Sequence, residues 1–165
     1  MSGSSAGGNV ATATMLRAKE AGLPMPAAMV LLTPEVDLTE SGDSFTTLAD
    51  KDPTLRSLRL VNELYAAGLP LNDPRVSPLF GDLAGLPAVI VQSGTRDLFL
   101  SNAGRLHRRL LDVGVVAELH IFEGRPHGGF GGTPEDEEVD IAVRRFIARH
   151  LGSDIGVERA PATGQ

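Results

Sequence analysis

A chain of 165 residues is long enough for one domain with a real core. Its net charge of −6, without any basic block, argues against a nucleic-acid surface, and no apolar run approaches the roughly 20 residues that span a bilayer. There is no cysteine, which excludes disulfides and thiolate metal sites, and no basic start precedes an apolar stretch, so no signal peptide is visible and a cytoplasmic location is expected.

The chain opens on Gly3-Ser4-Ser5-Ala6-Gly7, a match to G-x-S-x-G. Good helix formers follow from Asn9 to Ala21, and Gly22 with Pro24 stops them. Ala27 to Thr33 is a short continuous apolar run, the pattern of a strand buried on both faces. Pro34 to Pro53 is polar and turn-rich, and a loop of that length in a compact domain is usually functional. Leu55 to Ala67 has helical spacing, with Leu60, Leu64 and Ala67 on one stripe and Gly68 as the stop. Leu69 to Pro87 is rich in proline and turns; Ala88 to Gly94 is a second buried strand. Ala103, Leu106, Leu110 and Val113 recur at helical spacing up to Gly114. Val116 to Phe122 alternates, which suits a strand nearer the sheet edge. Thr133 caps the last helix and Pro134 takes its first position; Val139, Val143, Phe146, Ile147 and Leu151 form its apolar face. Residues 152–165 read as a polar, disordered tail. Helices and strands that alternate in this way predict a parallel sheet with right-handed crossovers, an α/β fold.

In open parallel sheets, ligands and reactive groups gather beyond the carboxyl ends of the strands. Asp97 follows the second predicted strand and His127 the third, while Ser5 sits where a preceding strand would end. The chain order is Ser, Asp, His. A serine hydroxyl is a weak nucleophile at neutral pH and needs a base; the aspartate fixes the imidazole tautomer and stabilises the imidazolium. Each signal has a plainer reading: Ser5 in a flexible glycine-rich end, Asp97 as a turn carboxylate, His127 as a loop histidine. Taken together, in order and each after a strand, they favour the catalytic reading. His107, His120 and His150 read as solvated or capping residues, and the acidic run Glu135 to Glu138 as a helix N-terminus rather than a metal site.

The stretches GSSAGGN, LLTPEVDLTESGDS, SGTRDLFLSN and FEGRPHGGF resemble the hormone-sensitive-lipase-like, or fold-3, group of α/β-hydrolases. The resemblance runs from Ser2 to about Leu151 with all four motifs in order. It implies Ser5 as nucleophile, Asp97 as triad acid, His127 as base and the backbone N–H of Ala6 as an oxyanion donor. It implies a small-molecule ester as substrate and no metal or organic cofactor. Two positions depart from the group: Ser4 stands where an acidic residue is usual, and Glu35 where an aromatic residue is common. The His-Gly-Gly-Gly stretch of the group does not occur in this sequence.

The expected structure is therefore a partial α/β-hydrolase fold, about three parallel strands with flanking helices, the N-terminal half of the fold missing. Residues 1–151 are read as the C-terminal part of a catalytic domain, with residues 2–8 lacking a strand to hold them. The expected function is a carboxylic-ester hydrolase working through an acyl-enzyme, with weak or no activity in this fragment alone. The alternative is a non-catalytic truncated remnant or partner-binding half-domain. An anion-binding module at the first helix N-terminus ranks last, because it lacks the lysine of G-x-x-x-x-G-K-[ST]. On this reading the genomic DNA upstream of Met1 continues in frame and encodes an apolar strand and a His-Gly-Gly-Gly stretch. An in-frame stop just before Met1 would refute that expectation.

Overall fold

The apolar runs do become neighbouring strands. The structure is a computed structural model that describes residues 1–152; the polar tail read from the sequence lies, from residue 153 on, outside the described residues. Along the chain run β1 (Ser2–Ser4), α1 (Ala6–Glu20), β2 (Ala28–Leu32), α2 (Ser44–Thr47), α3 (Arg59–Ala66), a 3-10 turn at Pro78–Phe80, β3 (Ala88–Arg96), α4 (Leu100–Asp112), β4 (Ala117–Pro126) and α5 (Pro134–Leu151). The four strands form one parallel sheet in the order β1-β2-β3-β4.

Alternation along β2 and β3 divides the core in two. Met29, Leu31, Val89 and Val91 face Met15 and Leu16 of α1 and Leu106 and Leu110 of α4. Val30 and Ile90 face the other way and pack on Phe146 of α5. β2 and the first half of β3, Ala88 to Val91, are apolar at every position because both faces are covered. β4 lies at the edge, as its alternating sequence suggests, and its side chains are half-buried or exposed.

Two features differ from the sequence reading. The sheet has four strands rather than three. Ser2, Gly3 and Ser4 pair with Val30, Leu31 and Leu32, and the Met1 amine donates to the Ala28 carbonyl at 3.1 Å. The start of the chain is thus held by β2. Three small residues show no period of their own, so this strand exists only through its partner. The second difference lies in α3. Its Leu60 and Leu64 are 81% and 82% exposed. The opposite face carries buried Asn62, whose Nδ2 donates to Glu35 Oε1 at 3.0 Å and to the Leu38 carbonyl at 3.3 Å, and Ala66, which packs with Leu38 and Val76. These buried polar bonds set the rotation of the helix, and the leucine stripe turns outward.

Between β3 and β4 the pairing shifts at Gly94/Arg96. A Cβ at Gly94 would lie 2.0 Å from the Arg125 carbonyl oxygen, so only glycine lets the two strand ends approach. Gly94→Ala should therefore cost about 1–3 kcal/mol through overpacking, read as a lower urea midpoint; an unchanged midpoint would refute the close-approach argument.

Candidate active site

Ser5 links β1 to α1. Its backbone has φ 56° and ψ −127°, a conformation that L-residues rarely adopt. Three backbone hydrogen bonds hold it there. Ser5 N donates to the Leu32 carbonyl at 3.0 Å, while the Ser5 carbonyl accepts from Gly8 N at 2.9 Å and Glu35 N at 3.1 Å. The tight turn brings α1 back against β1: a Cβ at Gly3 would lie 2.2 Å from the Gly7 carbonyl oxygen. The Ser5 side chain makes no capping bond to its helix. Its hydroxyl is free to point across the strand ends.

Asp97 directly follows β3 and His127 directly follows β4, so adjacent parallel strands deliver both to the same edge. Asp97 is fully buried. Its Oδ2 accepts from Ser93 Oγ at 2.6 Å, and its Oδ1 accepts from Phe99 N at 3.0 Å. The same Oδ1 lies 3.0 Å from His127 Nδ1. A carboxylate can only accept, so Nδ1 carries the ring proton and Nε2 is left as an acceptor. Ser5 Oγ lies 2.9 Å from that Nε2 and donates to it. Phe99 sets its ring edge-on to the imidazole at a centroid distance of 4.9 Å. The imidazole plane is thus fixed by an acceptor on one nitrogen, a donor on the other and an aromatic wall.

Ala6 opens α1, and the N–H groups of a helix's first turn have no intrahelical acceptor. Beside it is a cavity of about 110 Å³ lined by Ala6, Asn9, Val10, Glu35, Asn62 and Tyr65, among others. Glu35 is buried. Burial pushes its carboxyl up from the ordinary 4.5; the Asn62 hydrogen bond pulls it part of the way back, and the nearby Glu40 carboxylate adds to the rise. Asp37, two residues on, goes the other way. Burial opposes its ionisation, but hydrogen bonds from Thr39, Arg105 and Ser41 outweigh that and lower it. The long polar loop after β2 is thus anchored by its own carboxylates.

The structure brings together Ser5, His127 and Asp97, with Ala6 adjacent. It leaves the other histidines apart. His120 Nε2 lies 3.2 Å from Glu118 Oε2, and the His150 ring sits 4.5 Å from that of Phe146. The residues that sequence reasoning missed are the supports: Ser93 under Asp97, Phe99 beside the imidazole, and Asp52 and Thr54 in the long loop. Asp52-Pro53-Thr54 reads locally as a turn, and nothing in that tripeptide names its distant partners.

A family model for the alpha/beta hydrolase fold matches residues 1–130. The chain is 36% identical over 117 residues to an acetyl-hydrolase of Streptomyces hygroscopicus, an alignment that covers 70% of this chain and 39% of that protein. It is 32% identical over 127 residues to an esterase of Acinetobacter venetianus, covering 75% of this chain and 42% of the relative. Among solved structures, an esterase from the bacterial hormone-sensitive lipase family superimposes with a TM-score of 0.87 at 34% identity, over 92% of this chain and 52% of the other. A hormone-sensitive lipase from a metagenome library gives 0.85 at 38% identity, over 90% and 53%. The chain belongs to the alpha/beta hydrolase fold family. Within it, its structural neighbours are hormone-sensitive-lipase-like esterases, and it spans about half the length of the relatives and structures it matches.

The rise at Glu35 has a stability consequence. Its folded form holds a proton more tightly than the unfolded chain does, so between the ordinary 4.5 and the raised value, stability falls as pH increases. Glu35→Gln keeps an acceptor for Asn62 and removes the ionisable group. The stability of the variant relative to wild type, from urea midpoints, should rise from acid to neutral pH. A difference independent of pH would show that Glu35 ionises freely.

Proposed function

We propose that Ser5, His127 and Asp97 form the hydrolytic apparatus of a serine carboxylesterase acting on small-molecule esters. The observation that carries this reading is the continuous chain of contacts from Ser5 Oγ through His127 Nε2 and Nδ1 to Asp97 Oδ1, at 2.9 and 3.0 Å. Both distances lie within hydrogen-bond reach, the geometric requirement for a nucleophile and its base. As Ser5 Oγ attacks the ester carbonyl, His127 Nε2 takes its proton. Asp97 stabilises the imidazolium that results. The tetrahedral intermediate places negative charge on the carbonyl oxygen, and the Ala6 N–H is the candidate donor for it. Collapse expels the alcohol, which receives the proton from His127, and leaves an acyl-Ser5 ester. Water, deprotonated by the same nitrogen, then releases the acid and regenerates the serine. The cavity beside Ala6 is the candidate site for one arm of the ester, with Asn9, Glu35 and Asn62 as polar groups beside Val10, Leu38 and Val61.

The chain covers about half the length of its structural neighbours, and the activity of the whole protein is part of the same proposal. One oxyanion donor contributes about 3 kcal/mol, or 10²–10³-fold in rate, and Ala6 is the one candidate among the described residues. Residues 1–165 alone are therefore expected to turn over p-nitrophenyl butyrate weakly or not at all. What activity there is should vanish in Ser5→Ala and fall roughly 10²–10⁴-fold in Asp97→Asn. Turnover unaffected by Ser5→Ala or His127→Ala would overturn these assignments. A fully inert wild-type chain whose Ser5 also fails to react with a fluorophosphonate would favour the non-catalytic half-domain.

A further inference from the structure

The long loop after β2 ends near Asp52, a carboxylate with no solvent exposure. One of its oxygens serves the loop itself. Oδ1 accepts from Thr54 N at 2.9 Å, Thr54 Oγ1 at 2.8 Å and Leu55 N at 3.1 Å, a local turn closed by its own side chain. The other oxygen faces away from the loop. Oδ2 accepts from Leu98 N at 3.0 Å and from His127 N at 3.4 Å. These two residues belong to loops that leave different strands. Leu98 lies between Asp97 and Phe99, the two residues that hold the imidazole from the β3 side. The Thr54 hydroxyl adds a second link, because it also lies 2.8 Å from the His127 carbonyl oxygen. Its one proton is shared between that oxygen and Asp52. The main chain of His127 is therefore held at both its N–H and its C=O by residues 52 and 54. Burial opposes the charge on Asp52, but the N–H groups of Thr54, Leu98 and Leu55 and the Thr54 hydroxyl outweigh it and lower its pKa, so the carboxylate is ionised at neutral pH.

A turn that only closed its own loop would need Oδ1 alone. The Oδ2 contacts reach 46 and 75 residues along the chain and meet at the Asp97–His127 contact. We propose that Asp52 is a positioning residue, assisted by Thr54, that acts through the backbone of Leu98 and His127 to hold the imidazole in register with Asp97 and Ser5. The inference rests on the hydrolytic reading of those three residues. Displacing a reacting group by about 1 Å can cost 100-fold in rate, and two loops from separate strands have no common anchor unless one is built.

The test uses residues 1–165 with two substitutions. Thr54→Val keeps the shape of an exposed residue and removes the hydroxyl. Asp52→Asn keeps the shape of the carboxylate but turns an NH2 group toward one set of N–H donors. Two quantities are measured. One is the tautomer of neutral His127, from ring 15N chemical shifts assigned with His127→Gln. The other is phosphonylation of Ser5 by a fluorophosphonate, resolved into reversible binding and bond formation. Wild-type His127 should carry its proton at Nδ1, and both variants should move to a mixture of tautomers while their amide spectra stay dispersed. Bond formation should slow about 10-fold in Thr54→Val and about 100-fold in Asp52→Asn, with reversible binding unchanged. If Asp52→Asn fails to fold, Thr54→Val decides. The wild-type tautomer retained in every folded variant would overturn the assignment. A wild-type Ser5 that is inert to the probe would remove the hydrolytic reading, and the tautomer would still decide whether Asp52 positions His127.

Discussion

Parallel pairing of β2, β3 and β4 is the constraint on which the site depends. In a parallel sheet every strand leaves at the same edge. Adjacent strands are about 4.8 Å apart, so residues that follow neighbouring strands at once come within side-chain reach. Asp97 is the first residue after β3 and His127 the first after β4. Their separation of 30 residues in sequence becomes a contact of 3.0 Å. The requirement for glycine at position 94, where β3 and β4 converge under Arg125, belongs to the same geometry.

The edge that gathers these groups also gathers buried charge. Asp37, Asp52 and Asp97 are wholly or almost wholly buried within one region, which would be costly were any carboxylate left without donors. Each is instead surrounded by N–H and O–H groups: Thr39, Ser41 and Arg105 for Asp37; Thr54, Leu55, Leu98 and His127 for Asp52; Ser93, Phe99 and His127 for Asp97. The polar loop between β2 and α3 supplies many of those donors. Apart from the single turn of α2 it has no regular structure, since backbone and side chains are committed to carboxylates rather than to a ladder. Glu35 differs from the three aspartates. It has one strong donor, Asn62, and carboxylate neighbours, and its ionisation is suppressed.

Strain at Ser5 fits the same pattern. A non-glycine residue at φ 56° persists only where its surroundings over-determine it. Here the surroundings are β2 and the loop that follows it, through Leu32, Glu35 and the pairing of Ser2–Ser4. The turn is therefore held from the sheet side by residues about 27 to 30 positions downstream, and the sequence around Ser5 alone gives no sign of that support.

The amino-acid sequence by itself determined the α/β class, the three longer strands, the presence of buried strands within Ala27 to Thr33 and Ala88 to Gly94, and the order Ser5, Asp97, His127. These are legible because they rest on local period, on apolar runs and on motifs a few residues long. Tertiary structure alone decided the rest. β1 has no pattern of its own and forms because β2 offers a partner. The α3 leucines point outward because Asn62 is tied to Glu35 and Leu38 on the other side. Asp52 looks like a turn residue, and one of its two oxygens behaves as one; the other reaches the segments that follow β3 and β4, far downstream of the turn. A side chain with two acceptors can serve a local and a distant partner at once, and only the local partner leaves a mark in the neighbouring sequence.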